Sequence, residues 1–382
     1  MGTIVQSEHL SQDPGQAFEL KEVPNALARS IAATKVEYRR VGASGLIVSN
    51  PILGTLGLGG FKMDELGQRR GRDTANAYSN GMTEAIIGRM IKDFKIPRNK
   101  LVLMTKVGRI VADTENGGSS DLVAFLDDAV RKSKDYVNQY GLSRMAILNA
   151  VEQSLNRLQS TYIDVLHIHR WDPDTPIEET MGTLHGLVTS GKVRYLAASS
   201  MWAFELAQLQ CVAELRGWTK IVAMQNHYNL LYREEEREMI KFCKRTGVGI
   251  LVRAESLRPL FYPNKTELTW SPREQWSPLA EGYLARPFEL ADGTARPARF
   301  TYRSNVDREI IGRVQLLAQK YNVAASQVAL AWLNKRVTSA IVGINSVERM
   351  DEVLGAHELV LTDEEDTWLE ELYRPKSIQG HC

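Results

Sequence analysis

Four residues have the types and the order to carry acid–base chemistry together: Asp73, Tyr78, Lys106 and His169. Asp73 and Tyr78 share the stretch R-D-T-A-N-A-Y, Lys106 ends the apolar run L-V-L-M-T-K, and His169 ends D-V-L-H-I-H. A phenol with an ordinary pKa near ~10 is a poor acid at neutral pH. A neighbouring ammonium favours the phenolate and lowers that value, and a carboxylate paired with the ammonium holds it in place. A tyrosine so placed is a workable proton donor to a carbonyl oxygen that receives hydride. Singly, each residue reads more plainly. A lysine at a strand end is usually a solvated rim residue, a tyrosine near an aspartate usually packs, and so does one of two alternating histidines, a role that falls to His167. The joint placement of the four, in order and at strand ends, favours the chemical reading.

Such residues need a frame that brings strand ends together, and the chain is built to supply one. Short apolar, β-branched runs at 51–58, 101–107, 163–169, 193–199, 221–227, 248–252 and 339–344 alternate with segments of helical period. The helical segments lie near 82–94, 144–158, 178–190, 203–216, 234–246, 306–321, 325–335 and 347–356. Pro176, in the first turn after Asp174 and Thr175, opens one of them and Ser190-Gly191 closes it. Thr362 and Glu365 form a capping box for a last helix, 363–373. Strands that are apolar throughout, each followed by a helix, predict an α/β protein with a parallel sheet buried on both faces. The number of pairs points to closure as a (β/α)8 TIM barrel. Before it, 37–41 and 45–49 flank a turn and read as a short N-terminal β-hairpin. Residues 1–36 read as a disordered or loosely attached leader, and 376–382 as a tail. A doubly wound sheet is the runner-up, but the Gly-rich run from Gly54 to Gly60 lacks the G-x-G-x-x-G spacing, and it lacks the Lys-Ser/Thr of a P-loop. Close packing at a strand end explains those glycines better. In a TIM barrel reactive groups gather at the C-terminal ends of strands, which adds Ser199, Ser200, Gln225 and Asn226 to the polar residues of interest.

Composition narrows the function further. The chain has 382 residues, 43% of them hydrophobic, enough for one large domain. A net charge of +1 gives no reason to expect nucleic acid or an acidic membrane as partner. No apolar run reaches the ~18 residues of a membrane span. The first residues carry no basic-then-apolar secretory signal, and Gln6 stands where a myristoylation pattern wants Ser or Thr. Cys211, Cys243 and Cys382 are too few and too far apart for a disulfide framework or a metal cluster, so a reduced, cytoplasmic setting is expected.

From about Tyr38 to Pro375 the chain resembles the aldo-keto reductases. YRRVGASGLIVSNPILGT is similar to that family's opening hairpin and first strand, and DTANAYSNGMTEAIIGRMI to its D-T-A-x-x-Y-G-x-x-E signature. LVLMTKVG resembles its lysine strand and LNRLQSTYIDVLHIHRWD its histidine strand. SGKVRYLAASSM, MQNHYNLLYREEEREM, WSPLAEGYLARP and SAIVGINSVERMDE follow in family order. The wording is nearest to fungal members that reduce aldehydes or ketones in secondary metabolism, such as versiconal hemiacetal acetate reductases. The resemblance implies direct hydride transfer from NADPH to a small-molecule carbonyl substrate, with no metal. It implies Tyr78 as general acid, Lys106 paired with Asp73 to tune it, and His169 to orient the carbonyl. Ser199, Ser200 and Gln225 would hold the nicotinamide carboxamide and Trp276 would stack on its ring. Ser277 and Leu279 would lie along the pyrophosphate. Gly343, Asn345, Ser346 and Arg349 would grip the adenosine 2′-phosphate, and Arg349 argues NADPH over NADH because a guanidinium suits a phosphate fork. Val353 stands where many members carry an amide. Trp171, Trp202 and the stretch 108–142 would shape the substrate pocket.

The chain departs from the family pattern twice. Between the first strand and Asp73 only GGFKMDELGQRRGR intervenes, which predicts a shortened first βα unit and looks too polar for a buried second strand. An insertion at 253–275 precedes WSPLAEGYLARP, and WSP occurs twice, at 270–272 and 276–278. The insertion would sit at the C-terminal rim as a lid or loop. A missing exon and a retained intron would leave the same two marks, which transcript sequencing tests. Two other functions fit parts of the pattern: a non-catalytic, cofactor-binding barrel, or an unrelated TIM-barrel lyase or metal hydrolase. The latter needs a carboxylate or histidine cluster at strand ends, and none stands out.

Overall fold

The computed structural model describes residues 25–55, 71–112, 132–253, 278–286, 302, 304–344 and 346–381. Contacts divide the chain into two units, Met1–Lys35 and Val36–Cys382. Within the first, helix α1 (Asn25–Ala32) forms in the stretch read as a leader without sustained period. Its alanines, leucine and arginine are good helix formers, and none of its residues is buried.

The second unit opens with the expected hairpin. Strands β1 (Glu37–Arg40) and β2 (Ile47–Asn50) pair antiparallel, from Glu37 opposite Asn50 to Arg40 opposite Ile47. Eight further strands pair in parallel as a closed barrel: β3 (Ile52–Gly54), β4 (Gly71–Asp73), β5 (Val102–Val107), β6 (Ile163–Ile168), β7 (Val193–Ser199), β8 (Ile221–Asn226), β9 (Gly249–Arg253) and β10 (Ser339–Gly343). They lie in chain order, and β10 closes the ring onto β3. Helices α2 (Met82–Asp93), α3 (Arg144–Leu158), α4 (Ile177–Thr189), α5 (Ala203–Arg216), α6 (Met239–Thr246), α7 (Asn305–Tyr321), α8 (Ala325–Asn334) and α9 (Val347–Gly355) fall between or after the strands, and α10 (Asp363–Glu370) ends the series. Thr362 caps α10 through the expected reciprocal bonds with Glu365. The helix anticipated at 234–246 is split. Glu234–Glu236 is a 3-10 turn, and the α-helix begins at Met239. The ion pairs Arg233–Glu236 and Glu234–Arg237 are spaced i,i+3, the spacing that a 3-10 turn eclipses.

The polar stretch before Asp73 was expected to leave no second strand. Instead Gly71–Asp73 pairs with β3 on one side and β5 on the other. Backbone groups need hydrogen-bond partners whatever their side chains are, and the gap between β3 and β5 provides them on both sides. Residues 59–70 of the shortened segment 59–72 lie outside the described residues, as do 254–275 of the insertion.

The barrel has a closed floor. Val41, Leu46 and Val48 from the hairpin pack against Ile52, Met104, Val165, Ala197, Ala223, Leu251 and Ile341. The turn at Gly42, with φ of 54°, sits so close that a Cβ there would stand 2.1 Å from the Gly247 oxygen. Side chains on a strand repeat every second residue. One step above Met104, Val165, Ala197, Ala223 and Leu251 on the same face therefore stand Lys106, His167, Ser199, Gln225 and Arg253. The apolar floor and the period of two together set a polar layer at the C-terminal ends of the strands. The alternate residues, such as Leu103, Leu166, Leu196, Met224 and Val252, join the larger core that includes the helices.

Candidate active site

The polar layer centres on one ion pair. The Lys106 ammonium donates to Asp73 Oδ1 at 2.7 Å, to Asp73 Oδ2 at 2.8 Å and to the Thr74 carbonyl at 2.8 Å. Both charged side chains are 0% exposed. Gln225 Nε2 adds a bond to Asp73 Oδ1 at 3.1 Å. Burial works to raise the Asp73 carboxyl, but the charges of Lys106 and then Arg253 outweigh it, so the carboxyl is held below its ordinary value. Asp73 is a fixed anion and Lys106 a fixed cation.

Tyr78 reaches this pair from a tight turn. Thr74 N–H donates to the Met104 carbonyl and Asn76 N–H to that of Lys106, continuing the β4–β5 pairing past Asp73. The 3-10 turn Tyr78–Gly81 then puts Ser79, Asn80 and Gly81 in succession into positive φ, at 47°, 52° and 84°. A non-glycine residue in that region costs on the order of 1–3 kcal/mol, so the surroundings must hold it. Asn80 is clasped twice, donating to the Ala112 carbonyl at 3.0 Å and accepting from its N–H at 2.6 Å. Asn76 donates to the Arg109 carbonyl at 2.8 Å. Below the turn, Glu84 is fully buried and binds the Thr105 hydroxyl at 2.5 Å and the Arg157 guanidinium at 2.8 Å. That link ties α2 to the residue before Lys106 and to α3. It sits inside the D-T-A-N-A-Y-S-N-G-M-T-E stretch, although the sequence alone assigns Glu84 no role.

The Tyr78 ring is 6% exposed. Its centroid lies 5.2 Å from the Lys106 nitrogen, 4.5 Å from the Arg253 guanidinium carbon and 6.0 Å, edge-on, from the His169 ring. Burial first, then Arg170, Lys106, Arg109 and Arg253, hold His169 well below the ordinary imidazole value, so it is neutral. His167, read as a packing residue, lies in the same layer. Burial and Lys106 push it down to about 3, and it too is neutral.

The residues expected at the nicotinamide end meet here as well. Ser199 Oγ donates to the Gln225 carbonyl at 3.1 Å and accepts from Arg170 Nη1 at 3.3 Å. Ser200, with φ of 39°, donates its N–H to the same carbonyl at 3.1 Å. Gln225 Oε1 is buried and has no hydrogen-bond partner among the described residues. Gly343 ends β10 opposite Gly54, and Ser346 caps α9 by accepting from the Arg349 N–H. Leu279 begins the turn at Ala280–Gly282. Burial and then the charge of Arg349 depress Arg286, which makes those two guanidiniums electrostatic neighbours. Trp276, Ser277 and Asn345 lie outside the described residues. A cavity of about 550 Å³ opens beside the Tyr78 turn, lined by Asn76, Asn80, Arg109, Tyr136, Gln153 and Arg157 among others.

A profile of the aldo/keto reductase family matches residues 65–374. The chain belongs to the aldo-keto reductase family. It is 49% identical over 379 residues to aldo-keto reductase AMT2 of Alternaria alternata, covering 94% of this chain and 97% of that protein. It is 46% identical over 387 residues to aldo-keto reductase dtxS3 of Metarhizium robertsii, covering 95% and 98%. Versiconal hemiacetal acetate reductase of Aspergillus parasiticus is 40% identical over 367 residues, covering 90% and 98%. Membership supports an oxidoreductase acting on carbonyl compounds, in a family that generally uses NAD(P)H. Among the described residues no group of His, Cys, Asp or Glu could hold a metal ion, and no helix is long and apolar enough to cross a membrane. Arg253 is a site-facing residue of this aldo-keto reductase to which the sequence assigns no role. Counting by twos from Leu251 points to it, but in the sequence it stands as the first residue of the insertion 253–275.

Proposed function

We propose that this aldo-keto reductase uses NADPH to reduce a small aldehyde or ketone to the alcohol, with Tyr78 as general acid. The observation that carries this reading is the convergence of Tyr78, His169 and the buried Asp73–Lys106 pair at the C-terminal end of the barrel. The Tyr78 O–H gives its proton to the carbonyl oxygen and later recovers one from water. Lys106 stabilises the negative charge left on the phenol oxygen. It does not donate in its place, because its own hydrogens are committed to Asp73 and Thr74. A neutral His169 orients the carbonyl through a ring nitrogen without competing as an acid.

The residues present suit the cofactor. The unsatisfied Gln225 Oε1 is a buried acceptor of the kind that a carboxamide N–H satisfies, and Ser199 and Ser200 bond the main-chain carbonyl of the same residue. Arg349 stands in the first turn of α9 and its charge acts on Arg286, and with Gly343, Asn345 and Ser346 it would form the segment that holds a 2′-phosphate. Trp276, Ser277 and Leu279 would hold the nicotinamide ring and the pyrophosphate. When bound, the reduced nicotinamide supplies the hydride taken by the carbonyl carbon. We place the reaction in the cytoplasm and, by analogy with the versiconal relative, in secondary metabolism.

Titration of the purified chain with NADPH, followed by cofactor fluorescence, tests the binding half. Saturation weakened by Arg349→Ala supports it. A panel of aldehydes and ketones then tests the chemistry. NADPH binding without turnover of any of them would favour a non-catalytic, cofactor-binding barrel instead. No binding at all would end the reductase reading.

A further inference from the structure

We infer that Arg253 is a positioning residue for the acid step: a permanent cation against the Tyr78 ring that eases loss of its proton. The inference deepens the reductase reading and rests on Tyr78 being the acid.

Three observations carry it. Arg253 ends β9 on the interior face, two residues above Leu251 of the barrel floor, and is 4% exposed. Its guanidinium carbon lies 4.5 Å from the Tyr78 ring centroid, nearer than the Lys106 nitrogen at 5.2 Å. Its charge is felt by Asp73, His167 and His169, so it belongs to the same cluster rather than to the rim.

The groups around Tyr78 explain why a second cation matters. Lys106 is tied through two oxygens to Asp73, so the phenol feels the difference between two opposite charges. His169 and His167 are neutral and add no net charge. A guanidinium does not lose its proton in proteins, and its plane suits an aromatic face. A cation over a ring is attracted to the neutral phenol and more strongly to the electron-rich phenolate. Arg253 therefore favours the product of proton donation over its starting state, acting through the Tyr78 ring.

The test reads Tyr78 directly. Near-ultraviolet tyrosinate absorbance is titrated for the full-length chain and for Tyr78→Phe, and the difference isolates Tyr78 from the other tyrosines. Its midpoint is expected below the ordinary ~10 of a phenol. Arg253→Met should raise that midpoint by about one pH unit, and Arg253→Lys should restore at least half of the difference. In turnover, the pH at which kcat changes should move with the absorbance midpoint, while KM for NADPH stays within about twofold. An unmoved midpoint in Arg253→Met overturns the inference. So does a Tyr78 midpoint at or above ~10 in the unmodified chain, a result that needs no Arg253 variant to fold. A chain that binds no NADPH or turns over nothing would sink the reductase reading, yet the absorbance titration would still decide the role of Arg253.

Discussion

Replacing Lys106 with methionine tests the organisation of the site without relying on activity. Methionine keeps the apolar stem and removes the ammonium. Asp73 then stays buried with two of its strongest bonds gone, those at 2.7 and 2.8 Å, and keeps the bond from Gln225 at 3.1 Å. The Thr74 carbonyl also loses its donor. Breaking a buried ion pair from one side costs about 3–5 kcal/mol, because the remaining charge is stranded. The charge of Arg253 on Asp73 places the expected loss toward the lower end of that range. The pH dependence has a definite sign. In the unmodified chain the carboxyl is held below its ordinary value, so the pair's contribution is complete above the unfolded carboxyl's pKa of about 3.9 and fades as pH falls through the lower folded value. In Lys106→Met burial raises the carboxyl against weaker opposition. The penalty is then largest at neutral pH and shrinks in acid as Asp73 takes up a proton. Asp73→Asn in the Lys106→Met background removes the stranded charge and should recover much of the loss at neutral pH. The assay is denaturant unfolding of the unmodified chain and the two variants at neutral and mildly acid pH. A loss under about 1 kcal/mol at neutral pH, or a loss that does not change with pH, would refute the argument that Asp73 is a buried anion held by Lys106.

Three further outcomes follow from the same geometry. Tyr78→Phe should lower the rate of carbonyl reduction by about 10²–10⁴-fold, as loss of a general acid does, while NADPH affinity changes by no more than about twofold; steady-state kinetics beside a fluorescence titration separate the two. Arg349→Ala should weaken NADPH binding by about tenfold and leave NADH nearly untouched, since one charge-assisted contact is lost; equal losses for both would mean that Arg349 does not face a 2′-phosphate. Gly88→Ala would set a Cβ 2.5 Å from the Arg157 oxygen and 2.8 Å from the Leu158 carbonyl carbon, so α2 and α3 must part at a stability cost of about 1–3 kcal/mol; a thermal midpoint equal to that of the unmodified chain would contradict the close packing.

Some of this protein was legible from short stretches of chain. The strand 193–199 was read at its observed bounds, and Lys106 was placed on an apolar strand by its own neighbours. The Thr362–Glu365 cap was legible because its partners lie three residues apart. These features are local. They depend on side-chain period, on β-branched residues and on capping chemistry, all of which are written within a few residues.

What the tertiary structure decided concerns residues far apart in the chain. That Gly71–Asp73 is a strand depends on β3 and β5 offering backbone partners on both sides, which no feature of those three residues announces. That Gln225 donates to Asp73, and that Glu84 binds Arg157, follows only when the ring closes and brings their elements together. That Arg253 covers the Tyr78 ring follows from the register of β9, and the chain around it reads as an insertion. The sequence determined which residue types stand at strand ends. Closure of the barrel over an apolar floor decided which of them meet, because contact across the ring is set by register and distance rather than by neighbours in the chain.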